Sequence, residues 1–78
     1  MDNGKRPVDK LTARERATAQ LIAQGKTNKE AALVLRLTSN TISAYLQRIF
    51  SKTGCWDRVE LATYVRDHPD IFNVLPVA

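Results

Sequence analysis

Cysteine is nearly absent from this chain: Cys55 stands alone. It has no second thiol for an internal disulfide or a metal site, and a reducing compartment fits it. His68 is the only histidine. Without a second histidine, ligand-spaced companions or a glycine-rich loop, neither residue supports a metal or catalytic centre. The expectation is no cofactor, no metal and no enzyme activity. Long apolar runs are missing too. Nothing approaches the roughly 18 residues that read as a membrane span, and the opening MDNGKRPVDK has no apolar core of a signal peptide. Only three glycines and three prolines occur, with little strand-like alternation, which favours helices over sheet.

What remains is an ordinary globular composition, 44% hydrophobic and 26% charged. Seventy-eight residues make one domain with a modest core. Such a chain buries roughly 60% of its unfolded surface, for a net stability on the order of 4–12 kcal/mol. A net charge of +4 with a pI near 9.6 permits nucleic-acid binding without demanding it.

Three segments carry one helix-start signature: Thr12-Ala-Arg-Glu15, Thr27-Asn-Lys-Glu30 and Asp57-Arg-Val-Glu60. In each, a capping residue precedes a glutamate by three, so each side chain can accept the other residue's backbone N–H. Together they predict an all-α, four-helix bundle-like domain over residues 10–67. The helices are expected at about 13–24, 28–35, 40–52 and 58–67. Gly25 and Gly54 end the first and third. Residues 1–9 read as a flexible arm or linker remnant, with Lys5 and Arg6 as candidate phosphate contacts. Residues 68–78 read as a tail that turns or docks after His68-Pro69, and Trp56 as a hydrophobic staple or an anchor on the core.

The second and third helices, joined by a short polar turn, predict a helix-turn-helix. On a wheel of 100° per residue, Asn40, Ser43, Ala44 and Gln47 share a stripe opposite Ile42, Leu46 and Ile49. Short side chains let such a helix approach base pairs. Gln47 suits adenine N6 and N7, Ser43 donates or accepts, and Ala44 suits a thymine methyl. Arg48, Lys52 and Thr41 lie to one side, where phosphates run. Thr27, Lys29, Thr38 and Ser39 sit at helix N-termini, which attract anions; simple capping accounts for those positions equally. On the fourth helix, Val59, Ala62, Thr63 and Arg66 form a stripe suited to a second copy. Arg58 lies among apolar positions of that helix and Glu15 among those of the first, which predicts a structural pair between them.

The run Leu11-Thr12-x-Arg14-Glu15, the segment Gly25 to Glu30, Thr41-Ile42, Ile49-Phe50-x-Lys52 and Arg58-Val59-Glu60-Leu61-Ala62 resembles the LuxR/FixJ (GerE-like) helix-turn-helix domain across about residues 10–66. The resemblance implies a DNA-binding domain of a bacterial transcription regulator, cytoplasmic and associated with the nucleoid. Its third helix enters the major groove of double-stranded DNA, and its fourth forms a homodimer on a pseudo-palindrome. A sensor or receiver domain, or another regulator, is the implied further partner. The chain departs from the pattern at Ser43, where the family usually has lysine, at Tyr45 for histidine, at Thr18-Ala19 for Val-Leu, and at Arg36 for a turn glycine. Losing the lysine predicts weaker or differently selective DNA binding. Leu33 and Val34 stand where polar residues are common. They leave a second reading open: a helix-turn-helix that binds or sequesters another regulator, with weak or no DNA binding.

Overall fold

The four longer helices of this protein each start on a side-chain oxygen. The computed structural model describes residues 11–72, so the arm at 1–9 and the tail beyond 72 lie outside the described residues. Helix α1 spans Ala13–Ala23, α2 Asn28–Leu35, α3 Ser39–Thr53, α4 Arg58–Asp67 and α5 Pro69–Phe72. No strand occurs among the described residues. Thr12 and Thr27 form full capping boxes with Glu15 and Glu30. At α4 the box is half made: Asp57 accepts from Glu60 N, but the Glu60 carboxylate accepts from Trp56 N. Thr38 caps α3 and moves its start to Ser39, one residue ahead of the sequence expectation.

The helix ends are equally local. At Gly25, with φ 91°, Lys26 N donates to Leu21 O at 3.1 Å and Gly25 N to Ile22 O at 3.0 Å. This is a Schellman motif. The same pattern ends α2, where Leu37 N donates to Ala32 O at 2.8 Å. There the left-handed position is Arg36, φ 59° and ψ 45°, the one non-glycine positive φ among the described residues. A side chain held left-handed costs roughly 1–2 kcal/mol, and glycine returns roughly 0.5–1 kcal/mol of that through its freer unfolded state. Arg36→Gly is therefore expected to stabilise the domain by about 0.5–1 kcal/mol. That raises Tm by about 2–8 °C at this chain length, which calorimetry can check.

Helix α1 is the hub. It packs against α2, α3, α4 and α5, while α2 also packs on α3 and α5 on α4. Its buried side includes Thr18 and Ala19, both with no exposure. Small residues there bring neighbouring helices close. Thr18 hides its hydroxyl by donating to Arg14 O at 2.8 Å. Ile42, Leu46 and Ile49 of α3 and Leu61 and Val65 of α4 complete the core.

The core also reaches past the expected boundary at 67. Proline at the first helical position is pre-organised for a helix, so the chain breaks at His68 and restarts at Pro69. One turn later Phe72 is 1% exposed, with its ring edge-on to Tyr64 at 5.9 Å. Trp56, expected as an anchor, is instead 87% exposed. It precedes the Asp57 cap on the outer side of α4, and Phe72 supplies the aromatic bulk instead.

Candidate nucleic-acid interface

The seam of α3 turns its opposite side to solvent. Asn40, Ser43, Ala44 and Gln47 are all exposed, as are Ser39 and Arg48 beside them. A three-residue connection, Arg36 to Thr38, joins α2 to α3, and Arg14 Nη1 donates to the carbonyl of Leu35 at 3.4 Å beside it. This is the helix-turn-helix arrangement.

The two helix N-termini differ in what they hold. At α2, Thr27 N donates to Glu30 Oε1 at 2.8 Å and Glu30 N donates to the Thr27 hydroxyl at 3.1 Å. Glu30 lies below its ordinary range, first because of the Thr27 N–H, then through the Thr27 hydroxyl and Lys26, against a smaller opposing effect of burial. That carboxylate places a negative charge in the first turn of α2. Thr27 is thus a cap already matched with an anion, and exposed Lys29 is the cation of that turn. At α3 the first turn has no acidic residue. Thr38 accepts from Thr41 N at 3.1 Å, and the two hydroxyls lie 3.0 Å apart. The N–H groups of Ser39 and Asn40 open this helix, which suits an anion.

The pair expected between Glu15 and Arg58 is not formed. Glu15 is 2% exposed and its Oε1 accepts from Lys52 Nζ at 2.8 Å and from Thr12 N at 2.9 Å. Burial pushes this carboxyl up, but the Lys52 hydrogen bond, the Thr12 N–H and the charges of Lys52 and Arg48 together hold it below its ordinary value of 4.5. A helical wheel gives direction around an axis but not height along it. Glu15 lies in the first turn of α1, roughly 12 Å of helix from Ala23, and Arg58 meets the far end. Arg58 donates to Lys26 O at 3.0 Å and to Asn28 Oδ1 at 2.8 Å. Lys52, expected as a phosphate contact, has its ammonium committed to Glu15. Arg48, over the Tyr45 ring at 5.9 Å, remains a surface cation of α3 within cation–π range.

Sequence reading missed Asn28. Its Nδ2 donates to the hydroxyl of Ser43 at 3.2 Å, fifteen residues away. The trace it leaves in the sequence is Arg58, a cation set among apolar positions of α4.

The outer face of α4 forms a ridge. Val59 is 76% exposed, Ala62 is half-buried, and Thr63 and Arg66 are exposed. A groove of about 570 Å³ beside Trp56, Thr63 and Tyr64 lies on one side, and one of about 420 Å³ beside Lys26, Ala62 and Arg66 on the other. Val59 lines both. Elsewhere, His68 stacks on Tyr64 at 4.4 Å, with Nδ1 2.7 Å from the Tyr64 carbonyl, and the thiol of Cys55 is buried. Among the described residues, no group of His, Cys, Asp and Glu gathers to hold a metal ion, and no helix is long and apolar enough to cross a membrane.

This geometry has a known counterpart. The family model for bacterial regulatory proteins of the luxR family matches residues 9–65. The chain belongs to that family. Its relatives include the fimbriae Z protein of Salmonella typhimurium, 43% identical over 74% of this chain and 28% of that protein. The transcriptional regulatory protein LiaR of Bacillus subtilis is 41% identical over 80% of this chain and 30% of its own length. The nitrate/nitrite response regulator protein NarL of Escherichia coli is 39% identical over 78% of this chain and 28% of its own. The chain thus spans under a third of the length of these curated relatives. No solved structure matches it closely enough to count as a relative. The luxR family is one of DNA-binding transcription regulators that carry a helix-turn-helix.

Proposed function

We propose that this protein binds DNA sequence-specifically as part of a bacterial transcription regulator, working on the nucleoid in the cytoplasm. Helix α3 enters the major groove, Asn40, Ser43, Ala44 and Gln47 face the bases, and Ser39, Lys29 and Arg48 meet phosphates. The observation that carries this reading is the uncharged, exposed stripe of α3 behind an N-terminus free of acidic residues. Two copies pair through the Val59 ridge of α4, a reading supported by an exposed valine standing between two grooves, since a two-fold contact places the same patch on both copies. A dimer of this kind reads a pseudo-palindromic site. The matched segment is under a third of the length of its relatives, so a sensor or receiver domain is the fitting companion.

Gln47→Ala is expected to weaken binding by about 1–3 kcal/mol at a single base position. Fluorescence anisotropy on matched and scrambled duplexes tests this. Equal loss on both removes Gln47 from base reading.

A second reading rests on Leu33 and Val34, which are 74% and 53% exposed on α2. Large apolar side chains grouped at a surface mark contact with another protein. In that reading the domain binds or sequesters another regulator, and anisotropy shows weak or no binding to any duplex.

A further inference from the structure

The side chains of Arg58, Asn28 and Ser43 form a short hydrogen-bonded chain from α4 through α2 to α3. Arg58 Nη1 donates to Asn28 Oδ1 at 2.8 Å, and Asn28 Nδ2 donates to Ser43 Oγ at 3.2 Å. Arg58 is itself fixed by a second bond, from Nη2 to the carbonyl of Lys26 at 3.0 Å.

The direction of this chain follows from its first member. A guanidinium carries five N–H donors and no acceptor. The atom of Asn28 facing Arg58 must therefore be the oxygen, which turns the amide nitrogen toward Ser43. One lone pair of the Ser43 oxygen then accepts from Asn28; a second lone pair and the proton remain, and accepting that bond polarises the hydroxyl so that it donates more strongly than it accepts. Ser43 is exposed on the stripe of α3, so its proton is free to be donated into the groove. A serine with no such neighbour donates or accepts as the base requires and discriminates little.

We infer that Asn28, oriented by Arg58, is a positioning residue that biases Ser43 toward donating its hydrogen bond and so favours a base edge carrying an acceptor. In the major groove those edges are purine N7, guanine O6 and thymine O4, whereas cytosine N4 and adenine N6 donate. The inference rests on the reading of α3 as the base-reading helix. It also ties selectivity to α4, because Arg58 is that helix's first residue.

The test uses the full 78-residue chain and duplexes selected from a random pool. The position read by Ser43 is the one whose base preference disappears in Ser43→Ala. Binding is then measured on the four duplexes differing there. Asn28→Asp keeps the shape but only accepts, so it takes the Ser43 proton and leaves lone pairs facing the groove. Its preference should move toward donor-bearing edges by about threefold to tenfold, the size of one hydrogen bond. The added negative charge weakens all four duplexes alike and cancels in the ratio. In a Ser43→Ala background the same change should leave the ratio untouched. Asn28→Ala, a second variant, should bring the preference close to even. An unchanged ratio in both Asn28 variants overturns the inference. If Ser43→Ala alters no position while Gln47→Ala does, the inference falls but α3 still reads bases. If neither alters any position, the base-reading assignment falls with it.

Discussion

Phe72→Ala is expected to remove about 3–5 kcal/mol of unfolding free energy, as for aromatic truncations in a packed core. The ring is 1% exposed in a single-turn helix that packs on both α1 and α4. It stands edge-on to Tyr64, which in turn stacks on His68. Few other side chains hold α5 in place, Ile71 being half-buried beside it. The helix therefore either keeps a cavity or detaches. A domain of this size holds roughly 4–12 kcal/mol in all, so the variant is left near its threshold. Urea denaturation should show a lower midpoint with little change in slope. Phe72→Leu, which restores most of the volume, should cost less than about 1.5 kcal/mol. A loss below about 1 kcal/mol for the alanine variant would mean that α5 does not close the core.

Glu15→Ala is the next largest, at about 2–4 kcal/mol. Breaking a buried pair costs about 3–5 kcal/mol because it strands a charge. Lys52 is 30% exposed and can turn its ammonium to water, which lowers that figure. The change also removes the acceptor of Thr12 N, half of a capping box. Glu15→Gln separates the two contributions: an amide oxygen still accepts from Thr12 but carries no charge for Lys52. It should cost about 1–2 kcal/mol. The pH dependence has a definite sign. The folded carboxyl is held below its ordinary value of 4.5, so the folded state releases this proton more readily than the unfolded chain. The stabilisation is complete above the unfolded pKa and is lost as pH falls through the folded one. Chemical denaturation from pH 6 to pH 3 should show a flatter profile in Glu15→Gln than in the natural sequence. The slope left over includes Glu30, which is shifted in the same direction.

Much of the architecture was legible because its causes are local. A threonine three residues before a glutamate starts a helix wherever it occurs, and both such boxes close as read. The buried seam of α3 follows from spacing alone. The site was half legible for the same reason: a wheel shows that Asn40, Ser43, Ala44 and Gln47 share a direction, and they are exposed together. What the wheel omits is height and neighbours. A wheel turns Arg58 and Glu15 both inward on their own helices, yet Glu15 is buried in the first turn of α1 while Arg58 is exposed and bonds Lys26 and Asn28 beyond the last turn of that helix. Lys52 looked like a flanking cation because nothing within α3 reveals Glu15, thirty-seven residues away. The Asn28 bond to Ser43 is equally non-local. Trp56 shows the limit of composition: an aromatic beside a cap suggests a staple, but its side chain points outward, and the one-turn helix after Pro69 brings Phe72 inward instead.

The position of Trp56 also decides what this chain's own fluorescence can report. It is the only tryptophan, and its indole is already bathed in water in the folded domain. Unfolding changes its surroundings little, so its emission wavelength is a poor measure of melting. It lines the larger groove beside Val59, so anything that settles on this side of α4 strips water from the ring and moves the emission to the blue. The unlabelled protein thus carries an optical gauge of association that is nearly blind to its own folding.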